Sequence, residues 1–300
     1  GSGVSYIVKT KAAGVAYMNR YMEGIRKGIG KIIPKREEGQ SKEDYRNLLV
    51  TKGAGILVFV LAALALVRGA AAVLPGSVTV TSSVNGKLLP ISSVETDKKE
   101  VALSFEAVYG NGDISSILKT LKKHNIQATF FLSGGWVENY PDDVKTILSA
   151  GHDLGSIGES HKHMPQLTAE ECLDEIEQAH TKVQELTGYE MFLFRPPYGD
   201  YDNRVISSAA KCGYYSVCWD VDSLDWKDYG VEAILNNVLK SGDLKNGSII
   251  RCHNGAKYTA QALERLITGL EEQGYEIVPV SRLIYRERYH LNGEGRQVKD

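Results

Sequence analysis

The chain has 300 residues, a net charge of −2, and apolar (43%) and charged (24%) fractions that suit one large or two small globular domains. The charge is uneven: residues 1–52 hold 11 Lys/Arg against 5 Asp/Glu, Arg68 adds one positive charge, and residues 69–300 therefore carry −9. A basic head on an acidic body excludes nucleic acid as the body's partner. Four cysteines (Cys172, Cys212, Cys218, Cys252) without CxxC or zinc-knuckle spacing read as buried free thiols rather than a disulfide framework.

Residues 1–52 form a basic, cytoplasmic segment. Within it Met18, Met22, Ile25, Ile29, Ile32 and Ile33 recur at steps of three and four, a helical apolar face. Arg20, Arg26, Lys27 and Lys31 lie largely off that face, which suits contact with an anionic lipid surface. Gly14, Gly24, Gly28 and Gly30 oppose a helix, and a loosely ordered tail is the alternative. Residues 53–74 are apolar apart from Arg68 and long enough for the roughly 30 Å hydrocarbon core. They predict a single transmembrane helix, with the Lys/Arg excess before it setting the N-terminus inside and the body outside. A cleaved signal peptide competes, because Ala70-Ala71-Ala72 offers small residues.

Residues 75–99 are rich in Ser, Thr and Val, with an Asn85-Gly86 turn signal, and predict a short hairpin or stalk. From residue 100 strands and helices alternate. Strands are expected at 101–106, 128–132, 192–195, 215–219, 248–252 and 276–279. Helices are expected at 113–124, 142–150, 169–186, 202–211, 231–239 and 259–273, several followed by a glycine stop (Gly151, Gly188, Gly213, Gly274). Repeated βα units predict a parallel sheet with helices outside, and six or more units over about 200 residues favour a distorted or incomplete (β/α) barrel over residues 100–286. Residues 287–300 are left as a C-terminal tail.

In such a fold chemistry belongs at the C-terminal strand ends. Those ends carry Glu106, His161, Arg195, Asp225 and His253, the parts of a hydrolytic acid–base site. Arg195 precedes a rigid Pro196-Pro197-Tyr198-Gly199 loop, and Asp202 can cap the helix that follows. No G-x-G-x-x-G, Walker loop or G-x-S-x-G is present, so a nucleotide or serine-hydrolase site is unsupported.

The strings V-A-L-S-F-E-A-V-Y-G-N at 101–111, I-Q-A-T-F-F-L-S-G at 126–134, A-G-H-D-L-G-S at 150–156, R-P-P-Y-G-D-Y-D at 195–202, W-D-V-D-S-L-D-W-K-D at 219–228 and G-S-I-I-R-C-H-N at 247–254 resemble the polysaccharide deacetylase family, the NodB-type carbohydrate esterases. The likeness is strongest to a membrane-anchored, sporulation-type branch. The resemblance implies hydrolysis of N-acetyl C–N bonds on cell-wall glycan such as peptidoglycan, outside the cell, with a zinc-like divalent metal. It implies Glu106 as general base where the family has Asp, Arg195 as its clamp, Asp225 as the group orienting His253, and His253 as general acid. Tyr198 would serve the oxyanion through its N–H, Trp226 would wall the pocket, and His161 would bind metal. Two ligand positions are replaced, by Ala107 and Ile157; Glu106, Asp113, Glu159 and His163 are the residues near enough in sequence to be candidates for rebuilding a metal site. A catalytically inactive glycan-binding or wall-assembly module is the alternative.

Overall fold

The computed structural model describes Ser41, Lys42, Ser83, Val84 and residues 86–300. The amphipathic face of the basic head and the apolar run at 53–74 lie outside the described residues. Among the described residues no helix is long and apolar enough to cross a membrane. The chain divides into two units, Gly1–Leu74 and Pro75–Asp300, and the elements below belong to the second.

Strands β1 (Ser83–Val84) and β2 (Lys87–Leu88) pair antiparallel. Asn203 holds this hairpin: its Oδ1 accepts from Leu88 N–H and its Nδ2 donates to the Gly86 carbonyl, each at 2.8 Å. β3 (Ser93–Val94) follows, then the long central strand β4 (Glu100–Ala107). Next come α1 (Ile114–Lys123), β5 (Thr129–Leu132), α2 (Gly134–Asn139), α3 (Pro141–Ser149) and β6 (Asp153–Ser156). The chain continues through α4 (Ala169–Thr187), β7 (Leu193–Phe194), α5 (Asn203–Lys211), β8 (Tyr215–Ser216), β9 (Val221–Asp222) and α6 (Val231–Leu239). It ends with β10 (Ile249–His253), α7 (Thr259–Glu272), β11 (Glu276–Val278), α8 (Val280–Leu283), β12 (Tyr289–Leu291) and β13 (Arg296–Lys299).

The main sheet is parallel, in the order β8-β7-β6-β5-β4-β10-β9, and curls into a half-barrel. β4 is its hub. β10 runs along one edge, while β11 and β5 share the other, pairing with residues 100–102 and 104–107. Ile91 bridges to Val217 beyond β8, and Ser93 to Ser248 before β10, so the segment containing β3 spans the open side.

Alternation along β4 divides two cores. Val101, Leu103 and Phe105 face the helices and join their apolar stripes, such as Ile114, Ile117, Leu118 and Leu121 of α1. Each side chain fully buried there stabilises the fold by about 1.5–3 kcal/mol. Ala102 instead faces the inside of the curl, with Phe131, Ile157, Leu193, Val217 and Ile249. Gly155 of β6 makes room for this inner core, because a Cβ there would lie 2.7 Å from the Phe131 ring.

Helix ends follow the sequence cues. Thr168 and Glu171 form a reciprocal capping box on α4, and Gly188 closes it at φ +72°. Asp202 caps α5 by accepting from Val205 N–H at 2.9 Å. Three expectations change. β6 was not anticipated; it is four residues long and contains Gly155, which erases an apolar run. α2 begins on Gly134-Gly135, poor helix formers, yet Ser133 caps it through Trp136 N–H at 3.2 Å. Residues 287–300 are not a free tail: β12 and β13 pair antiparallel, and β13 joins β3 in parallel. Fully buried Gln297 fixes that docking, donating to the Tyr285 carbonyl at 2.8 Å and accepting from Tyr285 N–H at 2.9 Å.

Candidate active site

The site is built on β4 and β10. Their parallel register sets His253 opposite Glu106, and Arg251 opposite Ser104 on one side and Asp222 of β9 on the other. Glu106, Arg251 and His253 line a pocket of about 670 Å³ together with His161, Tyr109, Tyr198, Trp226 and Lys257.

Glu106 is almost wholly buried and held by three cations. Arg195 Nη1 donates to its Oε1 at 3.4 Å; Arg251 donates through Nε to Oε1 at 2.8 Å and through Nη2 to Oε2 at 3.1 Å. His253 Nε2 lies 3.4 Å from Oε2. Burial acts to raise the carboxyl pKa, but the hydrogen bond from His253 and the charges of Arg195 and Arg251 prevail and hold it at about 2.

Arg195, expected as the clamp, has no exposed surface. Besides Glu106 it donates to Ser104 Oγ at 2.9 Å and to the carbonyls of Val217 and Cys218 at 3.4 and 3.2 Å. Its guanidinium stacks 4.0 Å from the Phe131 ring centroid. Burial lowers its pKa to about 10, so it stays charged. The loop that positions it needs Gly199 at φ +71°, where a Cβ would come 2.9 Å from the Trp219 ring.

Asp225 lies behind His253 in a single 3₁₀ turn, Asp225–Lys227, entered through Leu224 at φ +53°. Its Oδ1 is 2.6 Å from His253 Nδ1, and its Oδ2 accepts from His253 N–H at 2.7 Å and Thr259 Oγ1 at 2.6 Å. The imidazole thus faces a carboxylate at each nitrogen. Burial opposes its charge, but Asp225 and Glu106 outweigh burial and raise the pKa to about 9. His253 is an imidazolium at neutral pH, poised to give a proton.

His161 reaches the pocket at φ +52°, packed 4.4 Å from the Tyr198 ring. Both ring nitrogens are buried without a hydrogen-bond partner, and burial lowers the ring's pKa. The other expected metal ligands are directed elsewhere. Both Asp113 oxygens accept from Gly255 N–H, at 2.8 and 2.9 Å. His163 pairs with Asp200 at 2.9 Å and stacks on the Tyr198 ring, and Glu159 binds Lys182 at 2.5 Å. Ala107 packs into the outer core and Ile157 into the inner one. Among the described residues no group of three or more His, Cys, Asp or Glu is arranged to hold a metal ion, whereas a catalytic zinc takes three protein ligands. The residues present do not fit the metal that the resemblance implies: one orphaned imidazole remains, and a guanidinium already covers the Glu106 carboxylate.

Arg251 was missed in the sequence. The signal was available: in Ile249-Ile250-Arg251-Cys252-His253 a period of two puts Arg251 on the same face as His253, and a charge inside an apolar strand is buried only when paired.

The rim is aromatic. The exposed large apolar side chains among the described residues are Tyr109, Tyr198, Trp226 and Tyr229, and the first three line the pocket. Trp226 lines the pocket, where the resemblance puts a wall, and the Tyr198 ring lines it as well, although only its N–H was expected to take part.

The polysaccharide deacetylase family profile matches residues 93–217. Peptidoglycan-N-acetylmuramic acid deacetylase PdaA of Bacillus subtilis is 30% identical over 200 residues, covering 65% of this chain and 75% of that protein. Peptidoglycan-N-acetylglucosamine deacetylase PgdA of Listeria monocytogenes is 33% identical over 228 residues, covering 74% of this chain but only 47% of that longer protein. Among solved structures, wild-type BA3943 of Bacillus anthracis, a CE4 family pseudoenzyme, superposes with a TM-score of 0.63 at 30% identity, covering 66% of this chain and 69% of that one. A mutant of BA3943 with restored enzymatic activity superposes equally well, at 31% identity. Identity of this order, over two thirds or more of PdaA and on the same half-barrel as BA3943, shows that the chain belongs to the polysaccharide deacetylase family, whose members are hydrolases acting on N-acetyl groups.

Proposed function

We propose that this protein recognises N-acetylated cell-wall glycan, peptidoglycan in the first place, and that its N-deacetylase activity is attenuated by the way Glu106 is held. The observation that carries the reading is the convergence of Glu106, His253 and the aromatic rim on one open pocket. Tyr109, Tyr198 and Trp226 offer flat apolar faces to sugar rings. His253 can protonate the departing amine as the amide C–N bond breaks, with Asp225 holding the ring. Glu106 would take the proton of the attacking water, so amide and water become amine and acetate. A carboxylate with a pKa of about 2 is a weak base, which makes that step slow. The Tyr198 N–H remains the candidate donor to the oxyanion, from a loop stiffened by two prolines.

The basic head and the apolar run at 53–74 support an uncleaved anchor, cytoplasmic N-terminus and outward-facing pocket as part of this reading. The double-arginine grip on Glu106 favours a second reading, glycan binding without turnover. Acetate release from N-acetylglucosamine oligomers and from peptidoglycan, compared between the natural chain and His253→Ala, tests the first. Slow release that disappears in the variant supports it. Absence of both release and glycan binding overturns both readings.

A further inference from the structure

A linked set of charges surrounds Glu106 at the pocket. Its carboxylates are Glu106, Asp222 and Asp225. Its cations are Arg195, Arg251 and His253. Arg251 Nη1 donates to Asp222 Oδ2 at 3.3 Å while its Nε and Nη2 cover both oxygens of Glu106. His253 faces Asp225 at 2.6 Å and Glu106 at 3.4 Å, one carboxylate at each ring nitrogen, an arrangement that both N–H groups of an imidazolium satisfy. Within this linked set three negative groups meet three positive ones.

Arg251 is fixed in this role. It is mostly buried, it shares the His253 face of β10, and its guanidinium lies 4.0 Å from the Trp219 ring centroid. A planar guanidinium gripping a carboxylate through two N–H groups is among the strongest side-chain pairings. A divalent ion approaching the Glu106 oxygens would have to displace those N–H groups and would sit beside a fixed positive charge. Of the ligand positions that the resemblance implies, His161 alone keeps a metal-binding side chain, with Ile157 apolar in the inner core and Ala107 in the outer one.

We infer that Arg251 is an internal cation that takes the electrostatic place of the divalent metal in this pocket, leaving a metal-free site for an uncharged N-acetylated sugar. The sugar rests on the reading above; the absence of metal affinity does not.

The test is zinc binding by the full chain in detergent, measured by equilibrium dialysis with elemental analysis. The chains compared are the natural one, one carrying Ala107→Asp and Ile157→His, and one carrying those two changes plus Arg251→Leu. The natural chain retains only trace zinc, and removing Arg251 strengthens zinc binding in the restored background by about tenfold or more. Where Ala107→Asp prevents folding, Ile157→His with and without Arg251→Leu makes the same comparison, and thermal melts establish which chains are folded. One equivalent of zinc on the natural chain, or equal zinc affinity with and without Arg251 in the restored background, overturns the inference. A natural chain that lacks zinc and also fails to bind glycan sinks the glycan reading and leaves the inference on Arg251 standing. A chain that binds glycan and one zinc does the reverse.

Discussion

Glu106 of β4 and His253 of β10 stand opposite one another in parallel register, with Glu106 Oε2 3.4 Å from His253 Nε2. Two strands far apart in sequence thus set a carboxylate and an imidazole side by side before any loop contributes. The hydrogen bond from His253 and the charges of Arg195 and Arg251 together set how basic Glu106 is.

Arg251 is the first place to intervene. Replacing it with Leu leaves Glu106 with Arg195 and His253 alone and takes the Arg251 cation from Asp222, which keeps its hydrogen bond from Leu224 N–H, so the unfolding free energy should fall by about 3 kcal/mol. Urea unfolding followed by tryptophan fluorescence measures this. A change below about 0.5 kcal/mol would mean the Arg251 contacts carry no net stability.

His253 gives a pH signature. Its folded pKa is raised from 6.5 to about 9, so its stabilising contribution is fully present below 6.5 and is lost as pH rises through 9. Glu106 has the opposite sign, contributing above 4.5 and losing that contribution as pH falls towards 2. His152, driven down to about 4 by burial, also destabilises the fold on acidification. The informative quantity is therefore a difference: melting temperature against pH for the natural chain minus that for His253→Asn. The difference should shrink between pH 6.5 and 9; a flat difference would count against the imidazolium.

The aromatic rim should carry glycan affinity. Tyr109→Ala and Trp226→Ala each remove an exposed ring at the pocket and should weaken oligosaccharide binding by about 1–2 kcal/mol, with little effect on the melting temperature. Calorimetric titration with N-acetylglucosamine oligomers measures it. Unchanged affinity in both variants would move the sugar away from this rim.

The Arg195 loop depends on Gly199. Gly199→Ala must hold φ +71° and push against Trp219, which costs about 1–3 kcal/mol. Because Trp219 also stacks on Arg251 and Arg195, the same change should reduce glycan affinity. Loss of stability without loss of affinity would separate the loop from the pocket.

Much of the fold was legible because long elements carry strong periodicity. α4 has its capping box and glycine stop, and β4 and β10 carry apolar residues rich enough to mark them as strands despite Ser104, Glu106, Arg251 and His253. Short elements were lost where one residue broke the pattern, Gly155 in β6 and Gly134-Gly135 in α2. The final hairpin was readable in hindsight: Tyr289-His290-Leu291 alternates and Asn292-Gly293 is a turn signal, but its partner β3 lies some 200 residues earlier. At the site, Arg195, Asp225 and His253 could be placed at strand ends from the sequence, and they lie together around Glu106. Arg251 escaped because its importance is relational: only the register of β9, β10 and β4 puts it between Asp222 and Glu106. Asp113 and His163 looked available as ligands because sequence proximity does not reveal that Gly255 and Asp200 already engage them.

The central claim is that recognition of N-acetylated glycan is retained while hydrolysis is slow and independent of metal. Glycan affinity and acetate release should be measured on the same preparation, with excess zinc and with chelator. The account predicts binding unaffected by chelator, with release slower than that of a zinc-dependent relative assayed alongside by on the order of 1,000-fold, and unchanged by zinc. Fast acetate release that appears with zinc and vanishes with chelator would contradict it.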